Sequence, residues 1–164
     1  MSPDASNDLP APSDGGLMSP RAALAYLAES GAGVLSLAGD PPYSVPMSFA
    51  VDDSSGRLVF QSLSGPDSEK LEHLADGVGA TLVAFEQSTP DDWVSAVVAG
   101  ELVAVEWTSE RAAAFASQAR SVGLNVFDTE VSDLQGEWYE LHPASVTGRC
   151  GPGWERANTF GETR

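Results

Sequence analysis

The run from Asp40 to Phe85 constrains the fold more than any other stretch of this chain, because two strand-like segments, a polar loop and a capped helix follow one another directly. Tyr43 to Val51 reads as a strand, Asp52-Asp53-Ser54-Ser55-Gly56 as a turn, and Arg57 to Leu63 as a returning strand. β-Branched and aromatic residues on both sides of an Asp/Ser/Gly cluster predict a hairpin. Beyond it, Ser64-Gly65-Pro66-Asp67-Ser68 runs into Glu69-Lys70-Leu71-Glu72-His73-Leu74, where Asp67 or Ser68 can accept hydrogen bonds from the open amides of a first helical turn. A helix N-terminus beside hydroxyls and a cation suits a phosphate. The same residues equally describe an ordinary capped helix with an exposed lysine.

The remainder supplies more strands and little βαβ character. Ser19 and Pro20 open a first helix as N-cap and first helical residue, Ala23, Leu24, Leu27 and Ala28 recur at helical spacing, and Gly31 stops it. Gly33 to Ala38 is a first strand. Ala80 to Glu86 is another, and its near-continuous apolar run predicts burial on both faces. Trp93 to Trp107 is the longest, with Gly100 marking a bend or bulge. Thr108 caps a second amphipathic helix, with Ala112, Phe115, Ala116 and Ala119 on one face, running to about Ser121. Gly123 to Asp128 reads as a loop or as a short helix continuing to Leu134. Glu137 to His142 and Ala144 to Arg149 alternate as two last strands, with Pro143 at a strand end. About six strands with peripheral helices predict a mainly β fold, a six-stranded antiparallel barrel. At 164 residues the chain is one domain's worth. The expected division is a disordered acidic tail over 1–17, the barrel over 18–150, and a flexible C-terminal tail over 151–164.

Charge narrows the function. The chain has 24 acidic and 8 basic residues, and the resulting net charge of -16 repels nucleic acid. Lys70 is its only lysine. High acid content with so little lysine predicts a halophilic protein, whose self-repulsion concentrated salt would screen; an acidic mesophilic protein is the alternative, and it leaves the lysine count unexplained. No apolar run is long enough for a membrane helix, and the first residues lack a cationic start followed by an apolar core, so a cytoplasmic protein is expected. Cys150 is the single cysteine, and His73 and His142 are the only histidines. These are too few for a usual zinc set or a nucleophile, base and orienter constellation, so no metal is expected and acyl transfer drops out. Gly-x-Gly-x-x-Gly and Gly-x-x-x-x-Gly-Lys patterns are both missing from the sequence.

Taken in order, Pro42-Tyr43-Ser44-Val45-Pro46-Met47-Ser48-Phe49, then Arg57-Leu58-Val59-Phe60-Gln61-Ser62, then Lys70-Leu71, resemble the pyridoxamine 5′-phosphate oxidase-like superfamily of flavin-binding split barrels, in particular its short branch related to the nitroimidazole-resistance proteins. Trp93 to Gly100 is similar to the family's strand ending in a small residue and glycine, and Val146-Thr147-Gly148-Arg149 to its closing segment. The resemblance implies a homodimer with a flavin mononucleotide (FMN), or a deazaflavin, in each of two clefts between subunits. It implies that the backbone of Val45, Pro46, Met47 and Ser48 lines the isoalloxazine ring and that Gln61 and Ser62 help hold the phosphate or ribityl chain. Ser68 and Lys70 fall on the first and last positions of a Ser-Arg-Lys phosphate motif, whose middle position is Glu69 here. The implied activity is a flavin-dependent oxidoreductase of a small organic molecule. Alternatives are a flavin carrier or sensor without turnover, and a dimeric haem- or ligand-binding barrel. Catalytic residues are not identified. Only Arg149 and Arg156 are candidates for the basic residues that true pyridoxamine phosphate oxidases carry near the C-terminus, which argues against vitamin B6 oxidation.

Overall fold

The computed structural model describes residues 16–64, 73–120 and 135–154, and it divides the expected hairpin at Phe49. Tyr43–Ser48 (β3) pairs along its whole length with Ala32–Leu37 (β2), whereas Ala50–Val51 (β4) pairs with Leu58–Ser64 (β5). Between them the Phe49 N–H donates to the Gly31 carbonyl at 3.0 Å, and the Phe49 ring is fully buried. Only the last two residues of the expected strand therefore face β5. Alternation marks a strand but does not choose its partner, and here the first half pairs with the strand upstream. The turn itself is as the sequence implies. Asp52 accepts from the Ser54 amide at 3.1 Å and from the Ser54 and Ser55 hydroxyls at 2.9 and 2.8 Å, and Gly56 takes a positive φ of 72°. The Ser55 hydroxyl leads the interactions that hold the Asp52 carboxyl below its usual range.

Val78–Gln87 (β6), Trp93–Val105 (β7) and Gln135–Cys150 (β8) complete one antiparallel sheet in the order β3-β2-β6-β7-β8-β5-β4, with Leu17–Met18 (β1) paired to the end of β8. The two ends of that order, β3 and β4, are consecutive in the chain. The sheet must therefore curl until its edges meet at Phe49, which makes a split barrel carried by six long strands. Leu35, Leu58, Leu82, Val98, Leu102 and Leu141 fill the interior. Pro20–Ser30 (α1) adds Ala23, Tyr26 and Leu27 to that core; the Ser19 hydroxyl caps it by accepting from the Ala22 amide at 3.1 Å, and Gly31 ends it at φ 69°.

Three expectations change. β6 is buried on one face only: Ala80, Leu82 and Ala84 point inward, while Phe85 on the other face is 72% exposed, because no helix of the described residues covers that side. The two expected last strands are one, and Pro143 lies inside it. Ala99 pairs with Ser145 and Gly100 with Pro143, leaving Ala144 as an extra residue in a bulge. Proline lacks the ladder N–H and is tolerated at such a bulge. A Cβ on Gly100 would sit 2.0 Å from the His142 carbonyl oxygen, which is why the bend expected at Gly100 needs glycine. Order also extends past both expected limits of the domain. Leu17 pairs with Arg149, and Trp154 is buried edge-on against Tyr26, with ring centroids 5.8 Å apart. Residues 1–15 and 155–164, and the ambiguous 123–134 segment, lie outside the described residues. No helix among the described residues is long and apolar enough to cross a membrane.

Candidate functional site

β3 is one end of the sheet order and β5 stands next to the other, and the curl brings them into contact. The Phe49 and Phe60 rings pack there with centroids 6.1 Å apart. On β3, the side chains of Val45 and Met47 turn toward the core, Met47 being buried, while Pro46 is exposed and Ser48 half-exposed on the outer face. Pro46 is accommodated because β3 is an edge strand. On β5 the two expected ligand residues point opposite ways. Ser62 is buried at 1% exposure, and Gln61 is half-buried on the outer face, across from Trp138 of β8. Backbone atoms of β3 and the Gln61 amide are therefore the groups that face outward where the strands converge.

Ser68 and Lys70, with Glu69 between them, lie outside the described residues. Their flanks are fixed on both sides. Ser64 ends β5 paired with Gln135, and His73 stacks on Tyr43 at the start of β3, with ring centroids 4.3 Å apart and 8° between planes. The segment that carries Lys70 thus begins on one of the two strands and ends against the other.

Ser109–Gln118 (α2) docks against β4 and β5 beside this convergence and reaches β8 through its side chains. Its N-cap, Thr108, accepts from the Arg111 amide at 3.1 Å. The helix is fixed by Phe115, which the apolar pattern marks, and by two polar residues, which it does not. Arg111 Nε donates to Glu140 at 3.0 Å, Phe115 packs edge-on against Trp138 at 5.6 Å, and the Gln118 side-chain amide pairs with both backbone groups of Val51 at 2.9 and 3.0 Å, acting as one more strand residue on the β4 edge. After the helix, Ser48 Oγ donates to the Arg120 carbonyl, and the Arg120 amide reaches the Gly31 carbonyl at 3.0 Å. α2 is therefore tied to both sides of the split.

Glu140 is a hub that sequence reasoning missed. Its side chain is 7% exposed and meets Arg111, Arg57 at 3.7 Å and His142 at 3.2 Å. A carboxylate this buried persists because it is paired. The cluster borders a cleft of about 240 Å³ lined by Asp52, Ser54, Thr108, Glu110 and Arg111. The hub engages two of the described arginines, and Arg120 extends to the Glu29 carbonyl at 3.4 Å. Spacing alone gave one signal for it: Glu140 and His142 are two apart on a strand and so share a face.

A second groove, of about 460 Å³, opens at the far end of β7 and β8, lined by Ala104, Val105, Trp107, Gly136, Trp138 and Tyr139 together with Glu137. The Tyr139 hydroxyl donates to Glu137 at 2.8 Å, and burial first, then that bond, pushes the phenol up to about 12. Trp107 was read only as the end of a strand; its 63% exposure had no sequence signal.

A family model described as pyridoxamine 5′-phosphate oxidase matches residues 19–150 of this sequence. No curated protein matches it. Among solved structures, a FAD-binding protein from Mesorhizobium loti is similar at 22% identity and a TM-score of 0.60, over 81% of this chain and 93% of that one. A FAD-binding protein from Mycobacterium smegmatis is similar at 15% identity and a TM-score of 0.58, over 81% of this chain and 97% of that one. A haem-binding protein from Mycobacterium smegmatis is similar at 21% identity and a TM-score of 0.57, over 82% of this chain and 55% of that one. At these identities the likeness is one of fold.

Proposed function

The chain belongs to the pyridoxamine 5′-phosphate oxidase family, and from that premise we propose that it binds FMN where β3 and β5 converge and works as a flavin-dependent oxidoreductase on a small organic molecule. The observation that carries this reading is the break at Phe49. It brings β3, which carries Val45 to Ser48, into contact with β5, which carries Gln61 and Ser62, and the described flanks of the Lys70 segment, Ser64 and His73, lie on β5 and against the start of β3. FAD-binding proteins among the structural neighbours support a flavin. The residues present fit one: an edge strand offers backbone groups to a planar ring, and Gln61 offers an amide to a polar chain. When bound, a flavin supplies the redox chemistry, and the protein orients it and tunes its electronics.

The phosphate is the demanding part, because it needs a cation. Arg57 and Arg111 are engaged by Glu140, and Lys70, which falls on the last position of the family's phosphate motif, is the cation assigned to that charge, with Ser68 as its hydroxyl partner. The sequence sets Lys70 just after a Ser-Gly-Pro-Asp-Ser loop, at the expected start of a helix, where the dipole would oppose a cation and a bound anion would resolve the conflict. Lys70→Ala should weaken FMN binding by roughly 1.5–3 kcal/mol, the range for a charge-assisted hydrogen bond, while riboflavin, which lacks the phosphate, should bind both proteins alike. Fluorescence titration of both ligands into both proteins checks this; equal losses for the two ligands, or none for either, would remove Lys70 from the site.

The reading includes a homodimer. The outer face of the sheet carries a row of paired apolar residues, Pro46, Val34, Val83 and Val97, with Phe85 beyond it, and Val34 is 39% exposed. Contiguous apolar surface of this kind fits a contact between copies. A haem reading, raised by the haem-binding neighbour, has less support. An axial ligand would have to come from His73, stacked on Tyr43, or His142, bonded to Glu140.

A further inference from the structure

We infer that the groove at the end of β7 and β8 is the binding site for a planar heteroaromatic molecule that is neutral or cationic and carries no phosphate. The inference rests in part on the flavin reading, since it names the substrate class, but its own observations are separate from it. Val105 pairs with Trp138, and Trp138 with Gln61, so these three form one row across β7, β8 and β5 on the outer face. Trp107, just past the end of β7 and 63% exposed, and Gly136, which has no side chain, line the groove with Val105 and Trp138. Ala104, Glu137 and Tyr139, which alternate onto the other face, line it as well, so the groove opens at the strand ends where both faces are within reach. Trp138, the other indole, is held by the edge-on Phe115 ring at 5.6 Å, so one aromatic wall is fixed before a ligand arrives. At about 460 Å³ the space suits a small molecule.

The charge of the groove selects what enters. Among the described residues its lining holds one ionisable carboxylate, Glu137, and no lysine or arginine. The phenol of Tyr139 donates to that carboxylate and stays neutral up to about 12, so it adds no second charge. The closest cation on the adjoining helix, Arg111, is taken up by Glu140 and by the Glu106 carbonyl at 2.8 Å. Two indole faces with a carboxylate at the edge attract a flat ring bearing positive charge or N–H donors, through stacking, cation–π attraction and a charge-assisted hydrogen bond. An anionic ring would face Glu137 and the field of a chain carrying -16. The groove lies one strand from Gln61 and Ser62, since Ser62 pairs with Glu137, so its occupant would sit next to the proposed flavin.

Three bicyclic probes test it on the full chain: N-methylquinolinium (cation), quinoline (neutral) and 1-naphthoate (anion). Each is titrated by equilibrium dialysis into wild type, Trp107→Ala and Glu137→Gln, with and without FMN. Trp107 is largely exposed, and Gln at 137 still offers an oxygen to Tyr139, so both variants should fold, which circular dichroism checks. The expected result is that the cation binds tightest and the anion not at all. Trp107→Ala should lose roughly tenfold for both the cation and quinoline, and Glu137→Gln roughly tenfold for the cation alone. Naphthoate binding as well as N-methylquinolinium, or cation binding unchanged in both variants, overturns the inference. Probe binding with this pattern while FMN fails to bind would sink the flavin reading and leave the groove standing; FMN binding without probe binding does the reverse.

Discussion

Tyr139 shows how a single residue at the mouth of the barrel acquires a property its type does not predict. It is 6% exposed, and its hydroxyl is bound to a carboxylate, so ionising it would place two negative charges together in a poorly solvated site. The unfolded chain loses its tyrosine proton near the ordinary value of 10.0, whereas the folded protein holds it to about 12. Between those values the unfolded state binds fewer protons than the folded one, so stability is full below pH 10 and falls as pH rises to about 12, by at most about 2–3 kcal/mol. Tyr139→Phe should flatten that alkaline loss in a series of denaturant midpoints, and an unchanged slope would contradict the assignment. None of this was legible in the sequence: Glu137-Trp138-Tyr139-Glu140 announced a strand, but not that Glu137 and Tyr139 turn inward while Glu140 gathers two arginines and a histidine. Cross-strand and helix partners decide such roles, and they lie far away in sequence.

Elements were read well where local chemistry decides them and less well where partners do. Ser19, Pro20 and Gly31 bounded α1, Thr108 capped α2, and Gly100 marked the bulge, since each is a backbone requirement that one residue satisfies. The hairpin failed because the pairing of Tyr43–Ser48 depends on β2. The docking face of α2 was read only in part: Phe115 is an anchor as expected, but Ala116 is exposed, and the other anchors, Arg111 and Gln118, are polar. Gln118→Ala removes both hydrogen bonds to Val51 and leaves those backbone groups partly buried without partners. It should cost roughly 1–3 kcal/mol of stability and raise amide exchange at the β4 edge before it affects α1. Exchange measured residue by residue checks this; a uniform change across the barrel, or none, would mean that α2 does not clamp the split.

At the scale of the whole molecule, the mainly β split barrel was legible from strand count and the lack of βαβ alternation, because those features hold whichever strands pair. The candidate site was legible only in part: the order of motifs pointed to β3, β5 and the Lys70 segment, but the curl that makes β3 and β5 neighbours appears only in the strand order. The exposed row over Val34, Val83 and Val97 adds an expectation about assembly. Sedimentation in molar potassium chloride should give a dimer, and Val83→Glu, which puts a charge in the middle of that row, should shift it toward monomer; a wild-type monomer would contradict the cleft between subunits. The central claim, that the convergence of β3 and β5 holds a flavin, is tested most directly by incubating the purified chain with FMN in molar salt, removing free ligand by gel filtration, and recording the visible spectrum of the protein peak. The account predicts flavin absorbance eluting with the protein at close to one FMN per chain, and a protein peak without flavin bands, or with a haem Soret band in their place, would contradict it.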